Sequence, residues 1–196
     1  DFDIGSGGAG TGALTATFKG GLGSASTRLP GGLTVGALAA VNSVGSTTVG
    51  DTRHFWAAPF EIGNEFGGLG YPAPWPPDAA GLRLKHRAVA ASANTTIAVV
   101  ATDAVLDKAA ALRLAIAAHD GFARAIWPSH TPIDGDLVFA LATGRSGTVS
   151  DAEQMLDLGA FAASTMARAV ARAVHAAAPA SGDLLPAWKD AARSGA

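Results

Sequence analysis

The sequence predicts an α/β domain, on three observations. Short apolar, β-branched runs at Leu33–Asn42, Thr96–Thr102 and Leu137–Ala142 have the length and composition of buried strands. Two longer stretches, from Leu106 to Ile126 and from Ser150 to about Ala178, repeat apolar residues at three- and four-residue steps, as amphipathic helices do. At 196 residues the chain is long enough for one domain with a substantial core.

Residues 1–12 are rich in glycine, and Gly5-Ser6-Gly7-Gly8-Ala9-Gly10 spells the G-x-G-x-x-G string of dinucleotide sites. Such a site needs a strand before the string and a helix after it. Here Ala13–Phe18 alternates like a strand, so the glycines read as turns or close backbone approaches. Lys19 follows, entering a glycine-rich turn at Gly20–Ser26; it is either a solvated strand-end lysine or a charge held toward a pocket. Asn42 closes the Leu33–Asn42 strand. It is either a turn residue or an amide able to donate to a developing oxyanion.

Residues 43–70 cluster Phe55, Trp56, Phe60 and Phe66, which suit a substrate groove or a subunit contact. His54 has no acidic residue at ligand spacing and reads as structural. Residues 71–94 pass from a proline cluster through Arg83-Leu84-Lys85-His86-Arg87 to small polar residues, the composition of an exposed, poorly ordered connection. Asn94-Thr95-Thr96 then leads into a strand. This junction is either an ordinary loop-to-strand entry or a cleavage point that would free the Thr95 α-amine beside its own hydroxyl. Such an amine, with a pKa of roughly 7.7–8.0, can take the Oγ proton near neutral pH.

Asp103 is placed to cap the Leu106–Ile126 helix, whose inward face is predicted to carry Leu112, Ile116, His119, Ala123 and Ile126, and Pro128 ends it. Asp134 and Asp136 flank Gly135 at the mouth of the Leu137–Ala142 strand. Two carboxylates this close raise at least one pKa, which makes a base or a relay near neutral pH. Ser129, His130 and Asp134 are too close in sequence to form a catalytic triad. In the last helix Asp151 and Glu153 mark the start, Leu158, Phe161, Thr165, Met166, Ala169, Val170 and Val174 form the buried stripe, and Arg168 and Arg172 are assigned to the wet side. Trp188 is an anchor for the tail.

Charged residues make up 15% of the chain against a usual value of about 25%, while apolar ones reach 48%, so surface is expected to be covered by subunits or by further chain. A net charge of −2 gives no footprint for nucleic acid or an anionic membrane. The uncharged stretch Leu29–Gly50 is too rich in Gly, Ser and Thr for a membrane span. Zero cysteines exclude disulfides and thiolate chemistry and suit the cytoplasm, and the scattered histidines argue against a metal enzyme.

Four blocks, GAGTGALTATFKGGLGSAS, LTVGALAAVNSVGS, ANTTIAVVATDA and HDGFARAIWPSHTPIDGDLVFALATG, together resemble the L-aminopeptidase/D-Ala-esterase family of N-terminal-nucleophile hydrolases. That family includes β-peptidyl aminopeptidases and the endo-type 6-aminohexanoate-oligomer hydrolase, and the Asn-Thr and Asp-Gly-Asp segments look more like the latter branch. The resemblance implies a four-layer α/β/β/α sandwich and self-cleavage between Asn94 and Thr95. Residues 1–94 would then belong to a first (α) subunit, with 71–94 as its flexible linker, and residues 95–196 would form a second (β) subunit. By the same likeness Thr95 is the nucleophile, Asp134 and Asp136 the supporting acidic pair, Lys19 the active-site lysine and Asn42 the oxyanion donor. The substrate would be a small or oligomeric amide, no cofactor is called for, and a homo-oligomer of α/β heterodimers, such as a tetramer, is the expected assembly. Family members carry a long segment before the glycine-rich block, so the upstream part of the fold is expected to lie outside this chain.

Overall fold

A computed structural model describes residues 2–89 and 94–192. Its strands are β1 (Gly21–Arg28), β2 (Thr34–Val41), β3 (Ile97–Thr102) and β4 (Leu137–Ala142), and its helices are α1 (Lys85–Ala88), α2 (Lys108–Ala125) and α3 (Ala152–Ala176). The strands form one sheet in the order β1-β2-β3-β4; the first two pairings are antiparallel and β3 with β4 is parallel. The parallel pair requires a crossover, which α2 supplies.

One face of the sheet is buried under the helices. Strand alternation turns Val35, Ala37, Ala39 and Val41 of β2, with Ala98 and Val100 of β3, toward Leu158, Met166, Val170 and Val174 of α3. α3 lies unusually close to β1, because a Cβ on Gly23 would stand 1.9 Å from the Ala169 carbonyl oxygen and one on Gly21 would stand 2.7 Å from that of Ala173. The opposite face is apolar and uncovered among the described residues: the register lines up Ser24, Leu38, Val99 and Phe139 in one row, and Ser26, Gly36, Ala101 and Leu141 in the next. Phe139 and Leu141 are 61% and 54% exposed. The described residues thus supply one sheet and one helical layer of the expected sandwich.

Several local expectations change. Ala13–Phe18 is a turn instead of a strand, closed by Thr15 N–H to the Phe18 carbonyl at 2.9 Å and by a Leu14–Lys19 bridge. The strand starts within the glycine stretch, where the missing side chains admit α3. Asp107, not Asp103, caps α2 by accepting from Ala110 N–H at 2.7 Å; Asp103 instead accepts from Thr34 N–H at 2.8 Å. The inward face of α2 is Leu114, Ala118, Gly121, Phe122 and Ala125, leaving Leu112 and Ile116 outside. Small residues win this face because α3 presses so near that a Cβ on Gly121 would meet the Ala163 carbonyl oxygen at 2.5 Å.

α3 follows its predicted stripe and opens on an Asp151/Gln154 capping box, but Arg168 is buried. Its guanidinium is taken up by Glu65, the Ser26 carbonyl and the Thr27 hydroxyl. Trp188 is buried as expected, stacked on Phe55 with the Arg53 guanidinium 3.8 Å from its ring centre. Residues 71–89 are better anchored than their composition suggests: Arg83 pairs with Asp51 and Asp78, and Lys85 is fully buried. Residues 90–93, the last part of the predicted linker, lie outside the described residues.

Candidate active site

The site lies where three strand ends meet. β2 pairs with β3 so that Ala40 faces Ile97, and two residues further along the same ladder Thr95 N–H donates to the Asn42 carbonyl oxygen at 3.0 Å. On the other side Ile97 faces Leu137. There the parallel ladder runs on past the strands, with Leu137 N–H on the Thr96 carbonyl (3.1 Å) and Gly135 N–H on the Asn94 carbonyl (3.0 Å). Register alone therefore sets Asn42 on one flank of Thr95 and Asp134-Gly135-Asp136 on the other.

The Asn94 carbonyl oxygen accepts two hydrogen bonds, from the Gly135 N–H and from the Thr95 hydroxyl at 2.6 Å. The hydroxyl thus lies within reach of the carbonyl carbon of the preceding peptide, and a backbone donor already polarises that carbonyl. Gly135 has no side chain for a spatial reason, since a Cβ there would stand 2.7 Å from Thr95 Oγ1. The neighbouring Thr96 is buried, with its N–H on Asp136 Oδ1 at 2.7 Å.

The two aspartates differ. Asp134 is a structural clasp: Oδ1 accepts from Val44 N–H at 3.0 Å, and Oδ2 accepts from the Thr131 N–H (3.2 Å) and hydroxyl (2.7 Å). Asp136 keeps a buried Oδ2 with no hydrogen-bond partner among the described residues, 3.7 Å from Nδ1 of His130. His130 adopts a left-handed φ of 52°, and its ring lies against His119 and Phe122. Burial pushes the Asp136 carboxyl above its ordinary value of 3.8, the Thr96 N–H opposes this, and the Asp134 charge adds to it.

That raised pKa has a stability consequence. The fold favours protonated Asp136, so stability falls as pH rises from the ordinary carboxyl value through the raised one, and the ionised group costs its full penalty above that. Asp136→Asn, which retains an oxygen for Thr96 N–H, is therefore expected to melt higher than the parent near pH 7. The gap should close as the pH is lowered toward the ordinary carboxyl value. Thermal melts across this range check it, and an Asn variant less stable near pH 7 would contradict it.

Asn42 and the lysines complete the picture. The Asn42 side-chain oxygen accepts from Leu14 N–H at 3.1 Å and from Lys85 Nζ at 2.8 Å; only an amide oxygen can take two donors, which fixes which way the NH₂ turns. The Lys19 ammonium is held by both Asp183 carboxylate oxygens at 2.6 Å, and Lys19 bridges Leu14, whose N–H donates to the Asn42 side-chain oxygen. The lysine against Asn42 is Lys85, which sequence reasoning assigned to a solvated basic cluster.

The chain is similar to known proteins. Uncharacterized aminopeptidases of Mycobacterium tuberculosis and Mycobacterium leprae are each 42% identical to it, over 97% and 89% of this chain but only 57% and 49% of their own lengths. The chain thus spans about half the length of the curated relatives it matches. Among solved structures, a Burkholderia sp. beta-aminopeptidase superposes with a TM-score of 0.64 at 24% identity, over 98% of this chain and 54% of its own. The L-aminopeptidase D-Ala-esterase/amidase of Ochrobactrum anthropi, described as a new variant among the Ntn hydrolase fold, gives 0.62 at 24% identity, over 93% of this chain and 47% of its own. The fold is therefore of the N-terminal-nucleophile type. The model of peptidase family S58 matches residues 1–184, and the chain belongs to that family.

Proposed function

We propose that this chain is a self-processing N-terminal-threonine hydrolase that cleaves amide bonds of amino-acid-type substrates through an acyl-enzyme. The observation that carries the reading is the Asn94 carbonyl held between the Thr95 hydroxyl and the Gly135 N–H. In the first act Thr95 Oγ attacks the Asn94 carbonyl carbon and gives up its proton. Asp136 is the favoured acceptor, because Asp134 spends both oxygens on Val44 and Thr131. Thr95 N takes up that proton from Asp136 as the C–N bond breaks, and the Asn94 acyl group moves from Thr95 N to Oγ. Water then hydrolyses this ester, leaving an Asn94 carboxylate and a Thr95 α-amine. In the second act the same Oγ attacks a substrate amide, the α-amine serves as base, and the Gly135 N–H and the Asn42 amide hold the oxyanion. The amine product leaves, and water clears the acyl-enzyme.

The Asn-Thr and Asp-Gly-Asp segments support linear 6-aminohexanoate oligomers as substrates, while the relatives' description as aminopeptidases supports removal of N-terminal residues from peptides, β-peptides or amino-acid amides. The apolar sheet face supports assembly into a homo-oligomer of processed subunits. The processed protein is to be incubated with amino-acid p-nitroanilides, β-dipeptides and 6-aminohexanoate oligomers, with and without an added amine acceptor. Hydrolysis of at least one class, lost in Thr95→Ala, is expected. Acceptor-dependent products would reassign the protein as an acyltransferase, and processed protein inert toward all three would contradict the substrate assignment.

A further inference from the structure

Lys85 is a fully buried cation that the mechanism above leaves without a task. Its helical turn is tied down by its own N–H, which donates to the Val44 carbonyl at 2.8 Å. Its ammonium donates to the Asn42 side-chain oxygen at 2.8 Å, the Asn42 carbonyl at 3.1 Å and the Leu14 carbonyl at 3.2 Å. The Asn42 carbonyl is the same oxygen that accepts Thr95 N–H. Lys85 and the nitrogen of the scissile peptide therefore share one acceptor. Burying a lysine is unfavourable unless its charge is held by partners.

We propose that Lys85 is a positioning residue of this active site, fixing the Asn42 side chain and holding a positive charge across the Asn42 carbonyl from Thr95 N. The inference rests on the reading of Thr95 as a self-processing nucleophile. Two effects follow. A fixed Asn42, whose carbonyl takes both the ammonium and the Thr95 N–H, holds the scissile peptide in place while Oγ attacks. Once Thr95 N is a free amine, the ammonium across the shared oxygen disfavours a second positive charge, which keeps the amine neutral and able to take the Oγ proton.

Among the described residues, Asp134 and Asp136 from the segment before β4 are charged groups facing Lys85, and Asn42 and Leu14 contribute neutral dipoles. Burial lowers the Lys85 amine from 10.5 to about 8, and the two aspartates oppose that fall. Its charge is therefore lost progressively as the pH rises through about 8. Self-cleavage isolates this titration, because the precursor has no Thr95 α-amine to titrate in the same range.

The test follows appearance of the Thr95-starting fragment in freshly translated chain, by mass spectrometry, as a function of pH. Wild type is expected to slow above about pH 8. Lys85→Met, which retains the stem and removes the charge, should cleave about 10²-fold more slowly, a loss of the size that misplacing a reacting group causes, and without the alkaline decline. Lys85→Ala should recover cleavage as ethylamine is added, which a merely structural role would not give; this variant decides the matter if Lys85→Met fails to fold. A folded Lys85→Met that cleaves at the wild-type rate with the wild-type pH profile overturns the proposal, as does a Lys85→Ala that ethylamine leaves unchanged. Wild-type chain that never cleaves at Asn94–Thr95 sinks the nucleophile reading instead, so the two failures are distinct.

Discussion

Thr95→Ala is expected to leave a single uncut chain and to lower amide hydrolysis by at least about 10⁴-fold, the scale seen when a covalent nucleophile is removed. Both acts use the same oxygen, so both disappear together. The fold should barely notice. Thr95 is only half-buried, and its hydroxyl makes one hydrogen bond, to the Asn94 carbonyl, worth about 1 kcal/mol. Thr95→Ser retains the hydroxyl and should still process itself. Thr96 is the control beside it: it is buried, and the hydroxyl bonded to the Asn94 carbonyl is that of Thr95. Cleavage persisting in Thr95→Ala, or hydrolysis retained there, would contradict the assignment.

Gly135→Ala is the second large effect, and it separates catalysis from stability. The added Cβ would stand 2.7 Å from Thr95 Oγ1 and an ordinary 3.7 Å from the Asn94 oxygen, so the hydroxyl is what must yield. A threonine can turn about χ1 at modest cost, of order 0.5–1.5 kcal/mol if it is left off a rotamer minimum. That turn carries Oγ away from the Asn94 carbonyl, and any shift of the Gly135 backbone also spoils the donor on that carbonyl. We expect near-parental melting with self-cleavage slowed by about 10²–10³-fold, the usual loss when an oxyanion donor is displaced. A Gly135→Ala chain processing at the parental rate would show that the close approach is incidental.

These residues were legible to different degrees for physical reasons. Asn42, Thr95 and the Asp134/Asp136 pair each sit at the end of an apolar run, and a polar residue at a buried strand's end is visible in one dimension. What brings them together, β3 pairing with β2 on one side and β4 on the other, is sheet register, which no local pattern carries. Lys85 was hidden because its neighbours Arg83, His86 and Arg87 give it the look of a solvated patch. Lys19 was visible, but its partner Asp183 lies 164 residues away.

Helix faces failed where small residues rule. The bulk of Leu112 and Ile116 suggested an inward stripe, yet the close approach of α3 at Gly121 selects Ala118 and Ala125. A rule that weighs bulk cannot see an interface built on its absence. Arg168 was misassigned for the opposite reason: its partner Glu65 sits in an aromatic-rich loop far along the chain, and only the pairing makes burial of that charge tolerable.

The most direct test of the account is the intact mass of freshly purified protein under denaturing conditions. Two species are predicted, summing to the mass of the chain plus one water, with the second beginning at Thr95. A single mass that persists on incubation at neutral pH, or a cut at any bond other than Asn94–Thr95, would contradict the central claim.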